Sequence, residues 1–343
     1  MPTQAACMPD DNAAAPWVRW AGTVAPRSAW MLALALALAL CMAQAVKAQQ
    51  APDAATPATA DEVLDSARRS VRLTAEWLAR GVDSWFGDKP FEEGGGVTNG
   101  RLSLSLLTRQ GEKPQLDLRF TARFRLPNID QGAYLFLGRD DPRDVLIDKP
   151  GAISRPQRLL RGRSADPLFF AGFGARFLES FDARLGFRGG LKPYAQARYG
   201  LSSELGDAGL IEFRETLFWS LDERWGSTTA ATYEHAFSPT LTGRWLSAAT
   251  ITTRSKKLEW SSSAGAFKAF GGQRLLSIEA LFSGVKGAAV PVADYGLQLK
   301  WEQPIHEDWL IAEVLVGQFW PRADVLSPRS RARAVGGSLL LRF

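Results

Sequence analysis

Between Leu116 and Leu126 apolar and polar residues alternate without a break. Leu116, Leu118, Phe120, Ala122, Phe124 and Leu126 share one parity; Asp117, Arg119, Thr121, Arg123 and Arg125 share the other. In a β-strand successive side chains point to opposite faces, so this stretch makes a strand with one apolar and one strongly charged face. A helix of period 3.6 would scatter both kinds around its circumference. A hairpin in a soluble sandwich gives the same alternation but rarely sustains it so long, whereas about ten residues is what a tilted strand needs to cross the hydrocarbon layer of a bilayer. The chain is therefore expected to meet lipid with one face of its strands and water with the other.

The same pattern recurs along the chain. Just upstream, Leu102, Leu104 and Leu106 alternate with Ser103 and Ser105, across a turn at residues 110–113. Similar segments follow near 132–138, 167–178, 181–189, 192–202, 209–221, 225–237, 241–254, 257–270, 273–284, 293–303, 309–320 and 333–343, separated by turns rich in Gly, Pro, Asn, Asp and Ser. This makes fourteen strands, with twelve as the alternative because the segment at 132–138 is short. An even number brings both barrel ends to one side of a membrane. The short connections 127–130, 238–240, 271–272 and 304–308 then fall on that side, and the two longest, 139–166 and 321–332, fall on the other.

Bulk hydropathy does not decide the matter: 46% hydrophobic residues and a mean hydropathy of −0.12 suit a soluble protein, and equally a barrel whose lipid-facing and lumen-facing residues cancel. Aromatic content says more. Twelve Trp and 19 Phe against 5 Tyr fit rings placed where a bilayer meets water, the alternative being large core aromatics. The net charge of +5 comes from 41 basic residues scattered among 36 acidic ones, without the dense run that nucleic-acid binding favours.

Residues 1–48 read as a signal peptide. Arg19 and Arg27 precede the apolar run 29–42, and Ala43-Gln44-Ala45 or Val46-Lys47-Ala48 supplies small residues for cleavage. Cys41 invites a lipoprotein reading through Leu38, but Leu40 stands where that pattern needs a small residue. Cleavage removes both cysteines, Cys7 and Cys41, and with them any disulfide or thiolate metal site. Residues 49–60 are a linker of Ala, Pro, Thr and Gln, expected to be disordered. An amphipathic helix is expected over 61–87: Leu64, Val71, Leu78 and Trp85 recur every seven residues, Ala67, Ala75 and Val82 fill the stripe, and Arg68, Arg69, Arg72, Glu76 and Arg80 take the remaining surface. Gly81 is expected to weaken or end it. Two placements stay open: packing at the periplasmic rim or in the lumen, and an interfacial or partner-binding helix.

In residues 333–343, Val335, Gly337, Leu339, Leu341 and Phe343 share one parity, and Gly336, Ser338, Leu340 and Arg342 the other. An amphipathic final strand ending on Phe resembles the closing strand of bacterial outer-membrane β-barrel proteins. The resemblance implies a transmembrane up-and-down antiparallel β-barrel over residues 97–343, surrounded by outer-membrane lipid in a Gram-negative cell envelope. It also implies that Leu339, Leu341 and Phe343 form an assembly signal read by the barrel-assembly machinery. Residues 217–226 and 308–321 are similar to stretches of uncharacterised proteobacterial barrel proteins, a likeness that brings no activity with it.

Giving the apolar parity to lipid turns the other toward the lumen. The pore candidates that follow are Arg119, Arg123, Arg125, Arg176, Arg184, Arg188, Arg198, Arg214, Glu212, Glu234, Glu259, Glu279 and Glu313. Basic residues dominate the first half and acidic residues the second, so closure sets a positive wall against a negative one. Such an arrangement suits a pore for passive or gated diffusion of small, anionic solutes. The alternative is a barrel filled by its own ion pairs, a structural or interaction barrel that presents its helix or its 139–166 loop to an envelope partner. Glu215 breaks the pattern by sharing the outward parity of Phe213 and Leu217. Catalysis, metals and cofactors find little support. His235 lies on the outward parity, His306 lies in a short turn, Ser262, Ser263 and Ser277 lack a histidine partner, and the acids Glu234 and Glu259 suit lumen ion pairs.

Overall fold

The computed structural model describes residues 60–83, 94–128, 132–150 and 167–343. The expected signal peptide, the linker apart from Ala60, and Trp85 at the expected end of the helix lie outside them. Among the described residues the chain forms β1 (Gly96–Arg109), β2 (Gln115–Arg125), β3 (Ala133–Asp140), β4 (Leu168–Leu178), β5 (Phe181–Arg188), β6 (Lys192–Leu205) and β7 (Gly209–Ser220). It continues with β8 (Arg224–Ser238), β9 (Leu241–Thr252), β10 (Glu259–Phe270), β11 (Arg274–Val285), β12 (Val292–His306), β13 (Leu310–Phe319) and β14 (Ala332–Arg342). Helix α1 (Ala60–Asp83) precedes the strands, and α2 (Pro142–Ile147) lies between β3 and β4. The fourteen strands agree with the fourteen alternating segments, and most boundaries differ by three residues or fewer. β1 is the main exception, running well past the Leu-Ser alternation at both ends.

Each strand pairs antiparallel with its neighbours in sequence, and β1 pairs with β14, closing the barrel. The closing register sets Leu104 opposite Leu339 and Leu102 opposite Leu341, while on its other edge Leu104 faces Leu118. Directly paired residues share a face, so the apolar parity runs unbroken across the seam. A closed barrel has no free edge, and every strand finds its backbone partners inside the structure, which is the condition for crossing a membrane with strands.

The outward parity is apolar and bare. Leu104, Leu116, Leu185, Leu217, Leu299 and Val316 are all exposed, as residues in contact with lipid must be. Aromatic rings gather at both ends of this belt. At the end bearing α1, Phe177 lies 6.1 Å from Phe181 and Phe270 lies 5.6 Å from Trp301. At the far end Tyr295 stacks on Trp320 at 5.3 Å and Phe120 meets Phe169 at 6.2 Å. Two girdles flanking an apolar band are the mark of a transmembrane barrel.

α1 lies outside this wall, near its own end of the barrel. Ala75 and Ala79 are buried against Ala122, Phe124, Leu126 and Leu135, with Val97, Leu137 and Phe343 at the margin. Phe124 and Ala122 share the face of the exposed Leu118 and Leu116, so at Ala75 and Ala79 the helix covers lipid-facing residues. It also runs on through Gly81 to Asp83, because the tertiary contact outweighs the roughly 1 kcal/mol that a mid-helix Gly costs.

Candidate functional site: an inserted segment in the lumen

The 139–166 connection is expected among the outer loops, yet its described part turns back into the barrel. The turn starts locally. The Asp141 carboxylate accepts from the N–H groups of Arg143 and Asp144, and Pro142 occupies the first turn, where its missing N–H costs nothing. The short helix then presents Leu146 and Ile147, which are 0% and 3% exposed. They pack against the inward-facing rings of Tyr134, Phe136, Tyr194 and Phe218. Glycines make the room: a Cβ at Gly174 would run into the Tyr134 ring, and one at Gly172 into Phe136 and the Leu185 carbonyl.

Asp148 ends α2 in the left-handed conformation, with φ +48°, and its carboxylate enters a cluster of arginines. Arg198 Nε lies 2.9 Å from it, Arg184 Nη1 3.5 Å and Arg214 Nε 3.6 Å. Arg214 also donates to the Asp148 carbonyl oxygen at 2.8 Å, and the Thr216 hydroxyl donates to the carboxylate at 3.3 Å. Asp182 adds a second carboxylate 3.0 Å from Arg184 and accepts from the Tyr134 hydroxyl at 2.6 Å. Three guanidiniums thus face two carboxylates, which leaves positive charge in excess. The register explains the gathering: Asp182 pairs with Arg198 across β5 and β6, and Arg214 sits one strand further on.

The other end of the segment is tied to a different wall. Arg143 makes a two-pronged contact with Glu259 on β10, at 3.0 and 2.8 Å, and approaches Glu223 at 3.4 Å. Burial disfavours its charge, but Glu259 and Glu223 outweigh burial and hold its pKa above the ordinary value. Gln196 donates to the Val145 carbonyl at 2.7 Å, and Arg188 to the Pro142 carbonyl at 3.3 Å. The segment therefore takes up part of the lumen's cross-section, held at both ends by charge-assisted bonds.

Of the pore candidates read from sequence, the structure brings together Arg184, Arg198 and Arg214 at Asp148, with Arg123 4.3 Å over the Tyr134 ring beside them. Arg188 is buried beside Ser220, its Nη2 3.2 Å from the hydroxyl. Arg119 stands apart, held between Asp117 and Asp140, and Arg125, Arg176 and Glu212 are exposed toward the α1 end. On the opposite wall Arg244 lies between Glu279 at 3.7 Å and Glu234 at 3.9 Å, and over the Phe267 ring at 4.1 Å. Glu313 accepts from the Ser338 hydroxyl at 2.8 Å.

Asp148 and Arg143 escape a reading by parity, whereas Arg244 follows it, on the face opposite the exposed Trp245. The first two lie in a connection with no strand period, where the signal is Asp141-Pro142 followed by Val145-Leu146-Ile147, a helix start ahead of apolar residues that an outer loop would leave in water. Arg244 is the one charged residue of β9. Glu234 and Glu259 do not meet; each takes its own arginine. His235 sits among outward rings, 4.9 Å from Phe237 and 6.4 Å from Tyr233, and His306 faces Asp61 and Asp65 of α1 at 3.2 and 3.7 Å. Glu215 does face outward, and the hydroxyls of Ser227 and Thr229 on β8 both donate to it. Among the described residues, no group of three or more His, Cys, Asp or Glu is placed to hold a metal ion.

No protein family and no curated protein matches the sequence. Among solved structures, the chain is similar to the KdgM porin in complex with disordered oligogalacturonate, at 8% identity and a TM-score of 0.35, over 71% of this chain and 99% of that one. It is also similar to a loop-deletion mutant of OmpT, an outer membrane protein of Vibrio cholerae, at 11% identity and 0.39, over 73% and 100%. A third likeness is to Pseudomonas aeruginosa OccK11, at 11% identity and 0.38, over 72% and 96%. The fold of this chain rests on its own strand register.

Proposed function

We propose that the protein is an outer-membrane pore through which small solutes diffuse, and that its constriction favours anions. The far end, with the long connections, faces outward, and the α1 end faces the periplasm. The observation that carries this reading is the inserted segment, whose Asp148 occupies the arginine cluster of β5, β6 and β7. A solute carboxylate or phosphate entering the lumen meets the same guanidiniums and exchanges hydration for charge-assisted bonds. Asp148 and Asp182 temper that attraction, and conduction needs a site strong enough to admit an ion and weak enough to release it. Arg123 and Arg125 extend the basic path toward the periplasmic end. The acids Glu234, Glu259, Glu279 and Glu313 belong to the other wall and complete a field across the passage.

The test is single-channel conductance of refolded residues 49–343 in a planar bilayer, with selectivity taken from the reversal potential in a salt gradient. Steady steps with anion preference are expected, and replacing Arg184, Arg198 and Arg214 together with Ser should lower that preference severalfold. Silence from protein shown by circular dichroism to be folded would refute the pore and favour a non-conducting barrel of the envelope.

A further inference from the structure

α1 leaves an apolar face uncovered at a place where the surroundings are defined. Wound at about 3.6 residues per turn, its sequence divides into three sectors. Leu64, Val71, Ala75 and Ala79 face the barrel and are buried or half-buried. Glu62, Arg69, Arg72, Glu76 and Arg80 share one flank, where Arg72 pairs with Glu76 at 2.9 Å. Val63, Leu73 and Trp77, exposed to 56%, 64% and 70%, share with the small Ser66 and Ser70 the arc turned away from the barrel. A helix on a water-facing surface would carry its charges on that arc.

The wall beneath α1 identifies what lies outside it. Phe124, Ala122, Leu126 and Leu135 continue the outward parity of Leu118 and Leu116, so the helix is seated at the lower edge of the belt that contacts acyl chains. From there it crosses the closing seam. Asp61 and Asp65 reach His306 at the end of β12, Arg68 lies 5.1 Å over the Trp309 ring, and Ala75 and Ala79 end against β2 and β3.

We propose that the outer arc of α1 is embedded in the phospholipid leaflet at this end of the barrel, with Trp77, Leu73 and Val63 at the acyl-headgroup boundary and Arg69 and Arg80 reaching the phosphates. The surface is continuous with the barrel's lipid belt, which decides for lipid over a protein partner. Trp at the boundary and arginines snorkelling from an apolar helix to the headgroups are how interfacial helices are held. The inference stands whether or not the barrel conducts.

The experiment uses the full chain refolded into vesicles of phosphatidylglycerol and phosphatidylcholine, beside a Trp77→Phe variant. Subtracting one emission spectrum from the other isolates Trp77. Lipids brominated near the top of the acyl chain should quench that difference strongly, lipids brominated near the chain end should quench it less, and acrylamide should have little effect. Acrylamide quenching without lipid quenching would overturn the proposal, placing the arc in water or under another protein. A second variant, Leu73→Glu with Trp77→Glu, should lose amide-exchange protection in α1 while the strands keep theirs; unchanged protection in vesicles would equally count against it.

Discussion

The left-handed backbone of Asp148 stops α2 and turns its carboxylate toward Arg184, Arg198 and Arg214. Asn tolerates the same conformation, so Asp148→Asn removes a charge while sparing the turn. Three guanidiniums would then face Asp182 alone, and the reversal potential should move toward stronger anion preference. An unmoved potential would put the permeant path away from this cluster. Glu215 invites a different test. A carboxylate on the lipid face is tolerated because Ser227 and Thr229 donate to it, and an ionised group that loses such partners costs about 1–3 kcal/mol or more. Ser227→Ala with Thr229→Val should lower unfolding stability by about that much, and adding Glu215→Leu should restore most of it, as read from urea unfolding in detergent. Parity along β7 marked Glu215 as out of place. The two hydroxyls that explain it belong to another strand and became visible only through pairing.

At the scale of elements, strands and inserted segment were unequally legible. A period of two survives in sequence because each strand has lipid on one side and water on the other, so β2 and β14 could be read almost residue by residue. The segment 141–148 carries no such period. Its position depends on what the lumen offers: rings at Tyr134, Phe136, Tyr194 and Phe218 on three different strands, and glycines that let them lie down. Parity thus found Arg184, Arg198 and Arg214 singly and missed the Asp148 that unites them. The segment's hold is separable from the barrel's. Burial of Leu146 holds the helix to the wall, and a fully buried Leu→Ala change costs about 2–5 kcal/mol, here charged to the insertion and not to the ladder of strands. Leu146→Ala should therefore leave β-content and the unfolding midpoint nearly unchanged while raising single-channel conductance and its open-channel noise. A fall in the midpoint with unaltered conductance would make the segment a structural brace without a part in permeation.

The whole molecule is decided by closure. β1 and β14, which close the barrel, both carry arginine as their only kind of charged residue, so the seam itself does not set a basic strand beside an acidic one. The structure divides the field that the charge order implies among local partners: Arg119 with Asp117 and Asp140, Arg143 with Glu259, Arg244 with Glu234 and Glu279. The excess that remains unmatched lies around Asp148. The heptad of α1 showed that it is amphipathic and left open which surface it packs on, because an apolar stripe fits a lumen, a rim or an outer wall alike. Its seat on Phe124, Leu126 and Leu135 separates stability from permeation. Deleting residues 60–83 uncovers a wall that is already apolar and lies in the lipid belt, so acyl chains can replace the helix and the barrel should still fold. Conductance and selectivity should match those of the intact chain, because Ala75 and Ala79, the buried residues of α1, pack on the outward face. What should change is the seam: with the contacts to His306, Trp309 and Phe343 gone, amides at the α1 ends of β14 and β1 should exchange faster than those of β7 and β8 on the opposite side. Altered conductance in the deleted protein would mean that the helix reaches the lumen in the membrane and that its place on the outer wall is not the working one.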